Sequence, residues 1–261
     1  MAEGTLHPAA NAAIYPSLAG KRVIVSGGAS GIGESIVEGF VRQGSAVAFL
    51  DVLEEQSEAL VKRFAEAAIP PLFVHCDIRN CDDYAAKIGK LIERLGGCDV
   101  LINNAANDDR HTLEQVTSAY WDERMAVNLK HQFFAAQAVI PAMKAAGGGS
   151  IVNLGSISWH LGLPDLTLYQ IAKAAIEGLT ASLAREVGRD GIRVNTILPG
   201  NVQTPRQMKW YTPEGEADIV AQQCLDGRIQ PADIAAMALF LASDDARFCT
   251  AHNYWVDAGW R

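Results

Sequence analysis

The sequence has little from which a disulfide framework, a membrane span or a nucleic-acid surface could be made. It holds five cysteines in 261 residues: Cys76, Cys81, Cys98, Cys224 and Cys249. The number is odd and no C-x-x-C pair occurs, so neither a bridged scaffold nor a zinc site is expected. Reduced thiols in a cytoplasmic protein are expected instead. No metal is expected either, because His111 and His160 have no third ligand at a typical spacing. No apolar run approaches the roughly 20 residues of a membrane-spanning helix. The chain start lacks a basic stretch followed by an apolar one, so no signal peptide is expected. The 22 Lys and Arg are scattered among 30 Asp and Glu, for a net charge of −8. Without a basic stripe there is no footprint for nucleic acid or an anionic membrane. Residues 1–20 are rich in Ala, Pro and Gly and are expected to form a loosely held tail.

From there on, short apolar runs alternate with amphipathic stretches. The runs are Arg22–Ser26, Ala46–Asp51, Pro71–Asp77, Val100–Asn103, Ile151–Leu154, Arg193–Ile197 and Tyr254–Val256. Helical patterns lie between them, including Gly31–Gln43, Glu54–Ala67, Asp82–Leu95, Ser118–Ala145 and Leu168–Arg189. Strands buried on both faces read as continuous apolar runs. Alternating β and α elements predict a parallel sheet covered on both sides. The expected fold is therefore α/β: a single Rossmann-type domain over residues 21–261, doubly wound, with about seven parallel strands. Residues 201–228 break the rhythm, and long irregular segments in such domains are usually lids or binding loops.

The first run leads into Ser26-Gly27-Gly28-Ala29-Ser30-Gly31-Ile32-Gly33, and a helix follows. Glycines there let the backbone turn tightly and approach a pyrophosphate. The helix N-terminus adds free N–H groups and a partial positive charge. Gly27, Ser30, Gly31 and Ile32 are the candidate phosphate cradle. A Gly-rich turn alone is weak, but the strand before it and the helix after it are the required context. The second run ends at Asp51, near the usual offset of the carboxylate that binds an adenosine ribose. A carboxylate would repel a 2′-phosphate, and neither Ser30 nor Val52 supplies a positive charge, so NAD is expected over NADP. Asp77 at the end of the third run can accept from the adenine amino group, with Ile78 packing on the ring. Asn103 and Asn104 end the fourth run, where asparagine amides can tie neighbouring loops together.

The fifth run ends at Gly155-Ser156, and Tyr169 and Lys173 follow at i and i+4 of a helix. That spacing puts them on one face, one turn apart. A free Tyr has a pKa near 10, whereas a base working at neutral pH should lie near 7. The gap is roughly 4 kcal/mol, and a neighbouring ammonium in a partly dry site can supply much of it. By itself Y-x-x-x-K is a common surface pair. Its place after Ser156, downstream of a nucleotide turn, gives it meaning.

Taken together, the Gly-rich turn, Asp77, Asn103-Asn104-Ala105-Ala106, Asn128, Ser156, Tyr169, Lys173 and Pro199-Gly200 resemble the short-chain dehydrogenase/reductase family in order and spacing. The resemblance covers the chain after the tail. It implies that Tyr169 is the general base for a substrate hydroxyl and that Ser156 holds the same oxygen. Lys173 would lower the Tyr169 pKa and bind the nicotinamide ribose, and Asn128 would pass protons on through water. Pro199, Gly200, Val202 and Thr204 would line the nicotinamide, and Asn104 would stand with the cofactor-binding residues. The family also implies a homotetramer. Two departures occur: Ser26 where Thr is frequent, which keeps the hydroxyl, and Ala106 where Gly is usual. Asn is a poor helix former, so Asn128 inside Ser118–Ala145 suggests a role or a kink.

The segments expected around the pocket are rich in donors, acceptors and rings. Asn107, Asp108, Ser158, Trp159, His160, Asn201 and Trp210 are the candidate substrate residues. A small polyhydroxylated ligand suits them better than a sterol or acyl chain. The same segments are similar to those of the aldose 1-dehydrogenases of the family. The implied reaction is oxidation of an aldopentose at C1 to the aldonolactone, with hydride passing to NAD. D-Xylose leads, with L-arabinose, D-galactose and L-fucose, or another alcohol, as alternatives. A non-catalytic NAD sensor would not need Ser156, Tyr169 and Lys173.

Overall fold

Seven apolar segments pair into one parallel sheet. They are β1 (Arg22–Ser26), β2 (Ala46–Asp51), β3 (Leu72–His75), β4 (Val100–Asn103), β5 (Gly149–Leu154), β6 (Ile192–Pro199) and β7 (Asn253–Val256). The computed structural model describes residues 13–209 and 211–260. The strand order is β3-β2-β1-β4-β5-β6-β7, and every neighbouring pair is parallel. The order reverses between β1 and β4, where ligands of such sheets bind beyond the strand C-termini.

Successive residues of a strand point to opposite faces. Val23 and Val25 enter a core that also holds Ile36 and Phe40 of α1 (Gly31–Arg42) and Ile234 and Leu241 of α9 (Pro231–Ala242). Ile24 enters the other core. There it meets Ile88 of α3 (Cys81–Leu95), Val139 of α5 (His131–Ala145) and Leu183 of α7 (Thr167–Val187). Both faces are thus covered, as the continuous apolar strands require. The remaining helices are α2 (Glu54–Arg63), α4 (Ser118–Met125), α6 (Ser158–Leu161) and α8 (Pro213–Ala221).

Three local features differ from the sequence pattern. The helix expected over Ser118–Ala145 is α4 and α5 joined by a π turn at Ala126–Lys130, which contains Asn128. Such single-turn π segments interrupt α-helices where a side chain must be re-aimed. The irregular segment 201–228 contains α8, started by Pro213 in its first turn and by Thr212, whose side chain accepts from the Gly215 N–H at 3.2 Å. Within the expected tail, Pro16–Leu18 forms a 3-10 turn and Leu18 is fully buried against the sheet. Residues 1–12 of that tail lie outside the described residues. No helix among the described residues is long and apolar enough to cross a membrane.

Candidate active site

The turn after β1 is held from both sides. Gly27 has φ +69°, and a Cβ on it would sit 2.8 Å from the Ala105 Cα. Only Gly permits that approach without strain. Asn104 donates through Nδ2 to the Gly27 carbonyl at 2.8 Å and to the Ser26 carbonyl at 3.1 Å. The Ser26 hydroxyl accepts from the Asn104 and Ala105 N–H groups. That bond needs an oxygen and not a methyl, so Ser serves in place of Thr. Asn104 therefore fastens the β1 and β4 turns to each other.

Gly31 opens α1 with φ +56°, and a Cβ there would stand 3.2 Å from Thr204 Cγ2. Thr204 is thus brought to the helix start from beyond β6. Ser30 precedes α1 without a side-chain cap, so Ser30, Gly31 and Ile32 form a helix start with no capping side chain. The Asp51 carboxylate accepts from the Ala29 N–H at 2.9 Å and from the Val52 and Leu53 N–H groups. A glycine cradle, an uncapped helix N-terminus and an adjacent carboxylate fit a dinucleotide. Asp77 is bonded by the Arg79 guanidinium, 2.6 Å from Nη2, which holds its carboxyl below the ordinary range. Ile78 is buried beside it. Pro199 ends β6, and a Cβ on Gly200 would lie 2.7 Å from the Asp257 Cα. Val202 is buried and bridges to Ile229.

Tyr169 and Lys173 share one face of α7. Lys173 is buried and donates from Nζ to the Leu154 carbonyl at 2.7 Å. Desolvation brings its ammonium down to about 7. The surrounding protein pushes the Tyr169 phenol above its ordinary range, and the Asp108 carboxylate adds to the rise. A hydrogen bond with Ser156 and the charges of Arg206 and Arg110 act in the opposite sense. Ser156 Oγ accepts from the Ser158 N–H at 3.1 Å and lies 3.0 Å from Ser158 Oγ. Ser156, Tyr169, Lys173 and Asp108 therefore meet beyond β4 and β5.

Asn128 does not face this group through free polar atoms. Its Oδ1 accepts from the Asn107 N–H at 2.8 Å, and its Nδ2 donates to the Asn107 and Arg124 carbonyls. The π turn thus holds the loop that carries Asn107 and Asp108.

The segment after β6 closes over that loop. Gln207 Nε2 donates to Asp108 Oδ2 at 2.6 Å, and Tyr211 Oη donates to Gln207 Oε1 at 2.8 Å. Asn201 Nδ2 donates to Tyr211 Oη at 2.6 Å, and Arg228 Nη2 donates to Asn201 Oδ1 at 2.9 Å. Gln207 and Arg228 are absent from the sequence candidates. A glutamine or arginine in an irregular segment has no periodicity or spacing to mark it. Trp210 lies outside the described residues.

Trp159 and His160 turn elsewhere. Trp159 Nε1 donates to Glu177 Oε1 at 2.6 Å, and His160 Nε2 lies 3.0 Å from the same oxygen. Their rings stack at 3.6 Å, and His160 meets Trp255 of β7 at 4.4 Å. Glu177 lies two turns beyond Tyr169 on α7, about 12 Å along the axis. Trp159 Nε1 and His160 Nε2 are therefore satisfied away from Tyr169. Among the described residues no group of His, Cys, Asp and Glu is placed to hold a metal ion.

The geometry can be set beside known proteins. A family model described as enoyl-(acyl carrier protein) reductase, of the short-chain dehydrogenases, matches residues 27–261. The chain belongs to the short-chain dehydrogenase family. Among the relatives of this short-chain dehydrogenase is the D-xylose 1-dehydrogenase of Caulobacter vibrioides, 59% identical over 96% of this chain and 100% of its own. A probable galactose dehydrogenase of Rhizobium meliloti is 46% identical over 94% of this chain and 96% of its own. A solved 7α-hydroxysteroid dehydrogenase, complexed with NADH and 7-oxo glycochenodeoxycholic acid, superposes with a TM-score of 0.90. It is 29% identical and covers 94% of this chain and 96% of its own. The seven-stranded Rossmann-type fold is shared with it.

Proposed function

We propose that this short-chain dehydrogenase oxidises an aldopentose, D-xylose foremost, at C1 to the aldonolactone, with hydride passing to NAD. The observation that carries the reading is the convergence of Ser156, Tyr169 and Lys173 beyond β5, beside a dinucleotide cradle ending on Asp51. The relative that is 59% identical over its whole length is named for D-xylose, which supports that sugar. The relative named for galactose makes D-galactose the alternative to test first, ahead of L-arabinose and L-fucose.

Bound NAD would accept the hydride from C1. The residues Gly27, Ser30, Gly31 and Ile32 would hold its pyrophosphate, and Asp51 its adenosine ribose. Asp77 and Ile78 would meet the adenine. Pro199, Gly200, Val202 and Thr204 would line the nicotinamide side, with Asn104 holding the turn in shape. Tyr169 takes the proton of the anomeric hydroxyl and Ser156 holds that oxygen. A protonated Lys173 has three N–H donors. One goes to the Leu154 carbonyl, leaving donors for the ribose and for the phenolate side of Tyr169. Asn128 keeps the loop of Asn107 and Asp108 against this centre. Asp108 and Asn201 stand on the substrate side, with Ser158 next to Ser156.

A cytoplasmic location is supported by five free thiols, three of them buried. Association into an oligomer, the family's homotetramer being the form expected, is supported by the largely apolar groove of Leu129, Lys130, Phe133, Phe134, Ala175 and Leu179, with Phe133 47% exposed. A panel of D-xylose, L-arabinose, D-galactose, L-fucose, a sterol and an acyl thioester, followed by NADH absorbance, tests the reading. D-Xylose is expected to give the highest kcat/KM. A sterol or thioester that outperforms every sugar overturns it.

A further inference from the structure

The hydrogen bonds that tie the 201–228 segment to Asp108 have one possible direction. Arg228 can only donate, and Asp108 as a carboxylate can only accept. Arg228 sits in an ion pair with Glu216, its side chain 8% exposed, and points Nη2 at Asn201 Oδ1. That sets the Asn201 amide oxygen toward Arg228 and its Nδ2 toward Tyr211 Oη. Tyr211 has a single proton and lies within reach of both Asn201 Oδ1, at 2.9 Å, and Gln207 Oε1, at 2.8 Å; because Asp108 takes the Gln207 Nε2 side, Oε1 faces Tyr211 and needs that proton. The Gln207 amide is then fixed, with Nε2 on Asp108. The guanidinium at one end and the carboxylate at the other polarise every bond between them in the same sense.

This chain leaves a defined set of groups free. Gln207 retains one N–H and one lone pair, and Asp108 retains acceptor capacity on Oδ1. Arg206 Nη1 is 3.7 Å from that oxygen, beyond hydrogen-bond reach. A hydroxyl both donates and accepts, so one hydroxyl placed between them can donate to Asp108 and accept from Gln207. Asp108 stands close enough to the reacting centre for its charge to bear on Tyr169 and Lys173. Asp108 and Gln207 follow β4 and β6, the strands on either side of β5, beyond whose end Ser156 stands, and on that placement the hydroxyl is assigned to the carbon next to the reacting one.

We propose that Gln207 is a specificity-determining residue that, together with Asp108, recognises the hydroxyl on C2 of the sugar. Tyr211, Asn201 and Arg228 are positioning residues that fix the orientation of its amide. The inference rests on the sugar reading given above and goes beyond it, to which hydroxyl is read and by what. Removing the hydroxyl from the ligand strands two polar groups, and sites built to bond a hydroxyl reject analogues that lack it.

The test compares D-xylose with 2-deoxy-D-xylose and with the C2 epimer D-lyxose, in the wild type, Gln207→Leu and Tyr211→Phe. The wild type is expected to prefer D-xylose over the 2-deoxy sugar by about 100-fold or more in kcat/KM. Gln207→Leu is expected to lower kcat/KM for D-xylose while changing the 2-deoxy sugar little, so that the preference shrinks at least about tenfold. Tyr211→Phe, which leaves Gln207 on Asp108 but removes the partner of its Oε1, is expected to shrink it by a smaller factor. NADH affinity, read by fluorescence, and Tm are expected to stay at wild-type values in both. A wild type that oxidises D-xylose, with an undiminished preference in Gln207→Leu, overturns this proposal alone. A wild type that oxidises no aldose overturns the sugar reading and this proposal together.

Discussion

Lys173 Nζ lies 5.3 Å from the centroid of the Tyr169 ring and is bonded to the Leu154 carbonyl. The pair that would move the substrate proton is thus assembled where water is scarce, and desolvation acts on both members. It moves each toward its neutral form, the phenol upward and the ammonium downward to about 7. An exposed pair at the same helical spacing would show neither shift. The sequence reading has Lys173 depressing the Tyr169 pKa. A hydrogen bond with Ser156 and the charges of Arg206 and Arg110 pull in that direction, and the donors Lys173 keeps after its bond to Leu154 are proposed to add to them.

Tyr169→Phe removes the base and leaves the ring. Turnover of D-xylose is expected to fall by about 10²-fold to 10⁴-fold, the usual contribution of general base catalysis. NADH affinity, measured by fluorescence titration, should stay within about twofold of wild type, because the phenol oxygen plays no part in the cradle around Gly27 and Asp51. Substantial turnover in this variant would remove Tyr169 from the mechanism.

Asp108→Asn tests the electrostatics of the site. The Asp108 charge raises the Tyr169 pKa, so removing it makes the phenolate easier to form. The rise of kcat/KM with pH should therefore move to lower pH in the variant. Lost sugar contacts would lower the whole curve without moving its midpoint. A midpoint that stays in place would show that this carboxylate does not act on the base.

Asp51 decides between the two dinucleotides. Its carboxylate is fixed by three backbone N–H groups, so it cannot swing away from a 2′-phosphate. A preference for NAD over NADP of about 100-fold corresponds to roughly 2.8 kcal/mol. Asp51→Ala should narrow that preference, mostly through a higher kcat/KM with NADP. A wild type that favours NADP would refute the assignment.

Far from the site, Arg22 grips Asp99 through Nε at 2.7 Å and Nη2 at 2.5 Å. Burial raises the Asp99 pKa, but the Arg22 bonds outweigh it and hold the carboxyl below its ordinary value. A carboxyl depressed in the folded state stabilises the protein above its unfolded pKa of about 3.9. That stability is lost as pH falls through the folded value. Arg22→Met should cost about 2 kcal/mol near pH 7, a typical figure for hydrogen bonds to a charged group. It should also flatten the loss of stability below about pH 4, read by denaturant unfolding across pH.

The chain's own pattern was enough for the sheet, its parallel sense and the nucleotide turn. Apolar runs, a glycine turn between strand and helix, and the Tyr169–Lys173 spacing are all consequences of local chain geometry. Asn128 was half legible: a poor helix former in a long helix announced an interruption. Only the fold showed that the π turn spends the Asn128 amide on the Asn107 backbone. Likewise, Thr212-Pro213 is a helix-start signal, but it lay inside a segment with no apolar period and α8 went unread. What tertiary structure alone decided is direction and pairing. Sequence marked Trp159 and His160 as pocket rings, and the fold bonds Trp159 Nε1 and His160 Nε2 to Glu177. Nothing local joins Asp108 to Gln207, 99 residues apart. They meet because β4 and β6 flank β5, which brings the loops that leave their ends to one mouth. A helix or strand is specified by neighbours in the chain, whereas a hydrogen bond between loops depends on the order of the strands beneath them.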